Sequence, residues 1–208
     1  VERVYGARKD IPMRHEPLVI LDFETTGLRP ECGDRITEVG VVRIENDHVT
    51  SRFESLVDCG VRVPSYITAY TGITQPMVDG APPVRRVMRQ LLDFIGTTPV
   101  VAHGARFDEE FFRLECLRLG IAPPQEPFIC SMQLARRLHP EMPCHALGAL
   151  SHELKLTRRG AAHRAPADAE VTAELMLRLG HEIDARHRGR TVTARLLREL
   201  EQPELLCA

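Results

Sequence analysis

One short stretch of this chain carries two acids at a spacing that would let them share a cation. In Leu21-Asp22-Phe23-Glu24 the carboxylates are two residues apart. On a strand, such side chains share a face with their Cα atoms about 6.6 Å apart. One hard cation, or two sharing Asp22, is then within reach of both. The pair closes the apolar run Leu18-Val19-Ile20-Leu21, and open α/β sheets place ligands at strand ends of this kind. Taken alone, it also suits an acidic strand end entering solvent at Thr25-Thr26-Gly27.

Asp108 opens a predicted helix, where an acid meets free amides and the helix dipole. Asp168 follows Pro166 and precedes Val171, Leu175 and Leu179 by three, seven and eleven residues, so it points along an apolar helix face. A carboxylate aimed inward needs a compensating partner; an ordinary first-turn acid after proline is the alternative. His163 stands five residues before Asp168, after the loop Arg158-Arg159-Gly160-Ala161-Ala162. Histidine suits general-base work at neutral pH, although a histidine in such a loop is otherwise simply exposed.

The elements that must position these residues read as follows. The apolar run through Leu21 predicts a buried strand closed by a glycine turn. Residues 36–44 and 49–57 predict two further strands around Glu45-Asn46-Asp47-His48, completing an antiparallel meander. A short helix is expected over 64–71. A longer amphipathic one is expected from Val84, Val87, Met88, Leu91, Leu92 and Ile95. Residues 99–103 predict a fourth strand and 128–130 a fifth. Between them Phe107, Phe111, Leu114 and Leu117 predict the apolar stripe of a helix ending at Gly120. The remainder reads as helical, broken by a loop at 157–162. The expected fold is α/β, one mixed five-stranded sheet flanked by helices. It divides into an arm (1–16), one domain (17–185) and a helical tail (186–208).

A net charge of −2 over 208 residues offers no general positive field, whereas nonspecific duplex binding relies on many Lys/Arg–phosphate contacts. A nucleic-acid enzyme of this composition grips a short stretch, with metal ions supplying positive charge. The six cysteines form no C-x-x-C pair, so they read as idle thiols of a reducing, cytoplasmic setting rather than zinc ligands. No run approaches the ~18 apolar residues of a membrane span. The opening Val1-Glu2-Arg3 lacks an initiator Met, leaving room for upstream sequence, and does not resemble a signal peptide.

Together the pieces resemble the DEDDh group of DnaQ-like 3′→5′ exonucleases, whose fold is ribonuclease H-like. Leu21-Asp22-Phe23-Glu24-Thr25-Thr26-Gly27-Leu28 is similar to the first exonuclease motif, and His103-Gly104-Ala105-Arg106-Phe107-Asp108 to the second. His163-Arg164-Ala165-Pro166-Ala167-Asp168-Ala169 is similar to the third. Thr71-Gly72-Ile73-Thr74, with Met77 and Ala81-Pro82, resembles a segment the family places beside the bound strand end. The resemblance covers about residues 17–180. Three positions depart from it: Gly104 for the usual Asn, Pro166 for the commoner Leu, and Cys130-Ser131 for the frequent Asp-Thr, the last expected to lie outside the chemistry. None removes a ligand or the histidine.

The resemblance implies metal ligation by Asp22, Glu24, Asp108 and Asp168. Asp22 would bridge two Mg²⁺ or Mn²⁺ ions and Asp108 would act partly through water. One ion would activate water and the other steady the leaving 3′ oxygen; oxygen-only ligands argue against zinc. His163 becomes the general base. Thr25, Thr26, Gly27, Leu28 and Phe107 become the terminal-nucleotide site, supported by His103. The expected substrate is the 3′ end of single-stranded or frayed DNA, as for the epsilon subunit of bacterial DNA polymerase III. A ribonuclease T-like or oligoribonuclease-like RNA trimmer is the alternative. A polymerase or clamp is the expected protein partner. A purely docking pseudo-nuclease should have lost a carboxylate, and none is lost. Gln202-Pro203-Glu204-Leu205-Leu206 faintly resembles a clamp-binding peptide, a capping helix being the preferred reading.

Overall fold

The computed structural model describes residues 15–187 and 191–202. Residues 1–14 of the expected arm (1–16) and the clamp-like residues 203–206 lie outside them. Five strands form one sheet: β1 (Leu18–Thr25), β2 (Ile36–Glu45), β3 (His48–Leu56), β4 (Val100–Ala102) and β5 (Ile129–Cys130). Their order is β3-β2-β1-β4-β5. The first three are an antiparallel meander, and β4 and β5 join in parallel. This is the expected mixed sheet.

Strand alternation splits β1 between two cores. Leu18 and Ile20 pack with Val171, Leu175 and Leu179 of α7 (Ala165–Arg186). Val19, Leu21 and Phe23 pack with Val87, Met88 and Leu91 of α3 (Val84–Ile95) and Phe111 and Phe112 of α4 (Arg106–Arg118). Asp22 and Glu24 continue the Leu18–Ile20 face, so the apolar side beneath α7 turns acidic at the strand end. A third, smaller core of Cys59, Val63, Ile67, Ile73 and Val78 seats the short helices α1 (Ser65–Thr71) and α2 (Gln75–Asp79).

The inner face of α4 differs from the expected stripe. Asp108, Phe111, Phe112, Glu115 and Cys116 are buried, whereas Leu117 is 60% exposed. Two acids lie on the inward side because each has a partner there. Glu115 receives Arg35 at 2.5 and 3.0 Å and Arg118 at 3.0 Å; Asp108 takes a β1 amide, described below. A hydrophobicity stripe assigns both to solvent and rotates the helix accordingly.

After β5 come α5 (Ser131–Leu138), α6 (Leu147–Glu153) and α7. Residues 191–202 do not trail free: Val192, Ala194 and Leu197 are buried in the α7-side core. The last helix, α8 (Ala194–Glu201), is capped by the Thr193 hydroxyl accepting from the Leu196 amide. Glu16 clasps this end, its amide donating to the Val192 carbonyl at 3.0 Å and its carboxylate accepting from the Ala194 amide at 2.7 Å. No helix among the described residues is long and apolar enough to cross a membrane.

Candidate active site

The crevice opens where the sheet loses a strand. β4 pairs with β1 at Val19 and Ile20 and then ends at Ala102, leaving the later β1 amides on that side without a strand partner. Asp108, in the first turn of α4, fills the gap: its Oδ1 accepts the Phe23 amide at 3.1 Å. A buried amide would otherwise stand unsatisfied.

On the other side, β2 lets α7 descend onto the strand end. Gly40 lies directly opposite Asp22 in the β1–β2 ladder. A Cβ there would fall 2.2 Å from the carbonyl group of Ala165 and 2.3 Å from the Pro166 nitrogen. Only glycine admits the first turn of α7 at this depth. Opposite Glu24 stands Glu38, buried, holding the Arg164 guanidinium through both oxygens and the Ala165 amide at 2.9 Å. That pair fixes the start of α7 from below.

Asp168 is thereby carried against β1. Ligand oxygens of Asp22, Glu24 and Asp168 lie within 4.8 Å of one another. They line a cleft of about 420 Å³ together with Asp108, His163, His103, Phe107, Tyr70 and Arg158. All four sequence-proposed carboxylates and His163 therefore open onto one cavity, with Asp108 set apart from the tight trio. Burial, with Asp108, Asp168, Glu24 and Glu38 adding repulsion, raises Asp22 well above the ordinary carboxylate range. Burial, then Asp168, Glu38 and Asp108, pushes Glu24 up to about 8 against the opposing Arg164. Burial pushes Asp108 up to about 7 despite its bond from the Phe23 amide. Crowded oxygen-only donors that resist ionising together fit a hard divalent cation, which would relieve their repulsion.

Asp168 Oδ1 accepts from Arg158 Nη1, and its Oδ2 accepts the His163 amide at 2.9 Å. His163 sits at φ 60°, left-handed backbone uncommon outside glycine. Its ring stacks on Tyr70, centroids 3.9 Å apart at 30°. Tyr70 escaped the sequence reading. It sits among polar residues on an expected short helix, 61% exposed, and only its proximity to His163 across 93 positions reveals it.

His103 lines the cleft with both ring nitrogens engaged, Nδ1 with the Ser131 hydroxyl and Nε2 with the His145 carbonyl, each at 2.9 Å. A carbonyl only accepts, so Nε2 carries the proton. Burial, opposed by that bond, holds the ring neutral with its pKa down to about 4. Ser131 thus orients a cleft residue. In the turn after β1, the Thr25 hydroxyl donates to the Gly27 carbonyl at 2.6 Å. Thr26 accepts from the Arg35 amide at 3.0 Å and donates to Asp34 at 3.3 Å. A Cβ on Gly27 would lie 2.3 Å from the Asp34 carboxylate. What this turn offers outward is Leu28, 78% exposed.

The five-stranded mixed sheet, with paired acids at the end of its central strand, is the expected ribonuclease H-like fold. The chain belongs to the RNase_T exonuclease family, whose model matches residues 19–176. It is 33% identical over 167 residues to 3′-5′ exonuclease DinG of Bacillus subtilis (strain 168), covering 80% of this chain and 18% of that protein. It is 35% identical over 200 residues to a DNA polymerase III subunit epsilon-like protein of Rhodobacter capsulatus, covering 95% and 28% respectively. Among solved structures, exonuclease X in complex with 5′-overhanging duplex DNA aligns with a TM-score of 0.68 and 26% identity, over 89% of this chain and 99% of that one. The nuclease domain of 3′hExo, a DEDDh family member bound to rAMP, aligns at 0.70 and 20% identity, over 81% and 93%. The chain spans well under a third of the two curated relatives' lengths.

Proposed function

We propose that this chain is a two-metal 3′→5′ exonuclease that removes nucleoside 5′-monophosphates from 3′ ends of single-stranded or frayed DNA, in proofreading or repair. The observation that carries this reading is the convergence of Asp22, Glu24 and Asp168 within 4.8 Å in the cleft that also holds Asp108 and His163. Two Mg²⁺ or Mn²⁺ ions bound there would supply an activated nucleophile and neutralise charge on the phosphate. Asp22, with Glu24 and Asp168 beside it, would be the ligand common to both ions. Asp108 has one oxygen committed to the Phe23 amide and would reach a cation with the other or through water. His163 takes the proton from the attacking water. Its ring is held by a face contact with Tyr70, which leaves the edge bearing its nitrogens open to that role. Leu28 and Phe107 grip the terminal nucleotide by base-independent contacts, so sequence preference is weak.

The epsilon-like and DNA polymerase III PolC-type relatives support DNA as substrate and a polymerase as partner. The test is digestion of DNA and RNA oligomers of one sequence, with free or phosphate-blocked 3′ ends, in Mg²⁺ and in EDTA. Mononucleotides released faster from DNA, only from free 3′-OH ends and only with metal, are the expected result. Faster RNA cleavage reassigns the substrate. Undiminished activity in EDTA, or cutting of circular single strands as fast as linear ones, overturns the mechanism.

A further inference from the structure

Among the described residues, Arg158 is the one lysine or arginine that lines the cleft. It stands in irregular backbone between α6 and α7, its side chain 23% exposed. Arg164 is committed to Glu38 and Arg35 to Glu115, and Arg159, the next residue along, is exposed and does not line the cleft. Of the converging carboxylates, Asp168 alone has both oxygens engaged, by Arg158 and by the His163 amide. No hydrogen bond or ion pair among the described residues reaches the carboxylates of Asp22 and Glu24. Arg158 is thus a cation that the acidic group already holds on one of its ligands at the cleft wall, whereas Arg164, which also acts on Glu24, is tied to Glu38.

We propose that Arg158 is a displaceable counter-cation. It neutralises Asp168 until divalent metal claims that carboxylate, and then turns its guanidinium onto the scissile phosphate. The fork of N–H donors matches phosphate oxygens. A guanidinium at that point meets the extra negative charge that develops as water attacks, which is where fixed positive charge accelerates most. The loop setting lets the side chain move without unfolding a helix turn. Arg158 therefore opposes the metal in the free protein and assists it in the complex.

This inference rests on the exonuclease reading and makes two measurements move in opposite directions. Mn²⁺ alone is titrated calorimetrically into wild type, R158Q and R158K without nucleic acid, and kcat and KM are measured on a 3′-OH oligothymidylate. R158Q should bind Mn²⁺ roughly three- to tenfold more tightly, as a charged competitor is gone, while kcat falls roughly 10²–10³-fold. R158K should restore the wild-type Mn²⁺ affinity and only part of kcat, because the charge returns without the fork. Unchanged or weaker Mn²⁺ binding by R158Q overturns the proposal, and so does tighter binding with undiminished kcat. A wild type that binds Mn²⁺ yet releases no mononucleotide overturns the exonuclease reading as well; wild-type hydrolysis with either contrary R158Q result overturns this inference alone.

Discussion

Gly40 faces Asp22 across the β1–β2 ladder, and the space where its side chain would stand is taken by the Ala165 carbonyl. The relationship ties a residue with no chemistry to the geometry of the site. Gly40→Ala must lift the first turn of α7, and with it Asp168 and His163. Overpacking of this kind costs ~1–3 kcal/mol, a fall of ~2–4 °C in Tm per kcal/mol for a domain this size. Hydrolysis should drop far more than that loss of stability explains, with Mn²⁺ affinity falling in parallel. Wild-type Mn²⁺ binding by G40A would mean that α7 approaches differently.

The four carboxylates should separate into two behaviours. Ala at Asp22, Glu24, Asp108 or Asp168 should each nearly abolish hydrolysis, beyond the ~10–100-fold typical for residues that merely support ligands. In EDTA, D22A and E24A should melt no lower than wild type, since each removes a repelled, partly buried acid. D108A should melt lower, because it strands the buried Phe23 amide at a cost of ~1–3 kcal/mol. Equal melting temperatures for D108A and D22A would count against the Asp108–Phe23 bond.

Metal-free stability should fall as pH rises. Glu24 at about 8 and Asp108 at about 7 lie above their ordinary values of 4.5 and 3.8, so the folded chain keeps protons that the unfolded chain has released. That stabilisation is complete at low pH and is lost as pH climbs through about 7 and 8. His103 acts at the other end. Its value of about 4 lies below the ordinary 6.5, so its contribution is lost as pH falls between those two values. Between pH 4.5 and 6.5 the raised acids lose more stability with rising pH than the one imidazole gains, so Tm in EDTA should be highest at roughly pH 4–5 and decline from there toward alkali. Saturating Mg²⁺ should flatten the alkaline limb, the Mg²⁺-induced rise in Tm growing with pH. Parallel curves with and without Mg²⁺ would contradict this.

Much of this arrangement was legible in the residues. The Asp22–Glu24 strand end, the inward-facing Asp168, the meander and the amphipathic α3 all follow from period-two and period-3.6 patterns. The failures share a cause. Glu115 points inward because Arg35 awaits it, a partner 80 positions away. A local pattern sees only its charge, and so it placed Leu117 inside. Gly40 and the Glu38–Arg164 pair, spanning 126 positions, were invisible for the same reason, as was Tyr70.

His163→Asn tests the base most cleanly, since asparagine tolerates the left-handed backbone and keeps the amide bond to Asp168. Mg²⁺ affinity should stay near wild type while the rate falls ~10²–10⁴-fold. The part of the rate's rise with pH that belongs to loss of the histidine proton should disappear. Joint loss of metal binding and rate would instead make His163 a ligand or a structural residue, and an undiminished rate would hand the proton to another group.

The clasp between Glu16 and the backbone of Val192 and Ala194 has a consequence for how such a unit is inherited. The first described strand and the last described helix are thereby tied together, and both brace the α7-side core. A body whose outermost elements hold each other is closed on itself, which is the condition for sitting within a longer protein as a unit. Relatives of which it matches 18% and 28% are longer proteins of that kind.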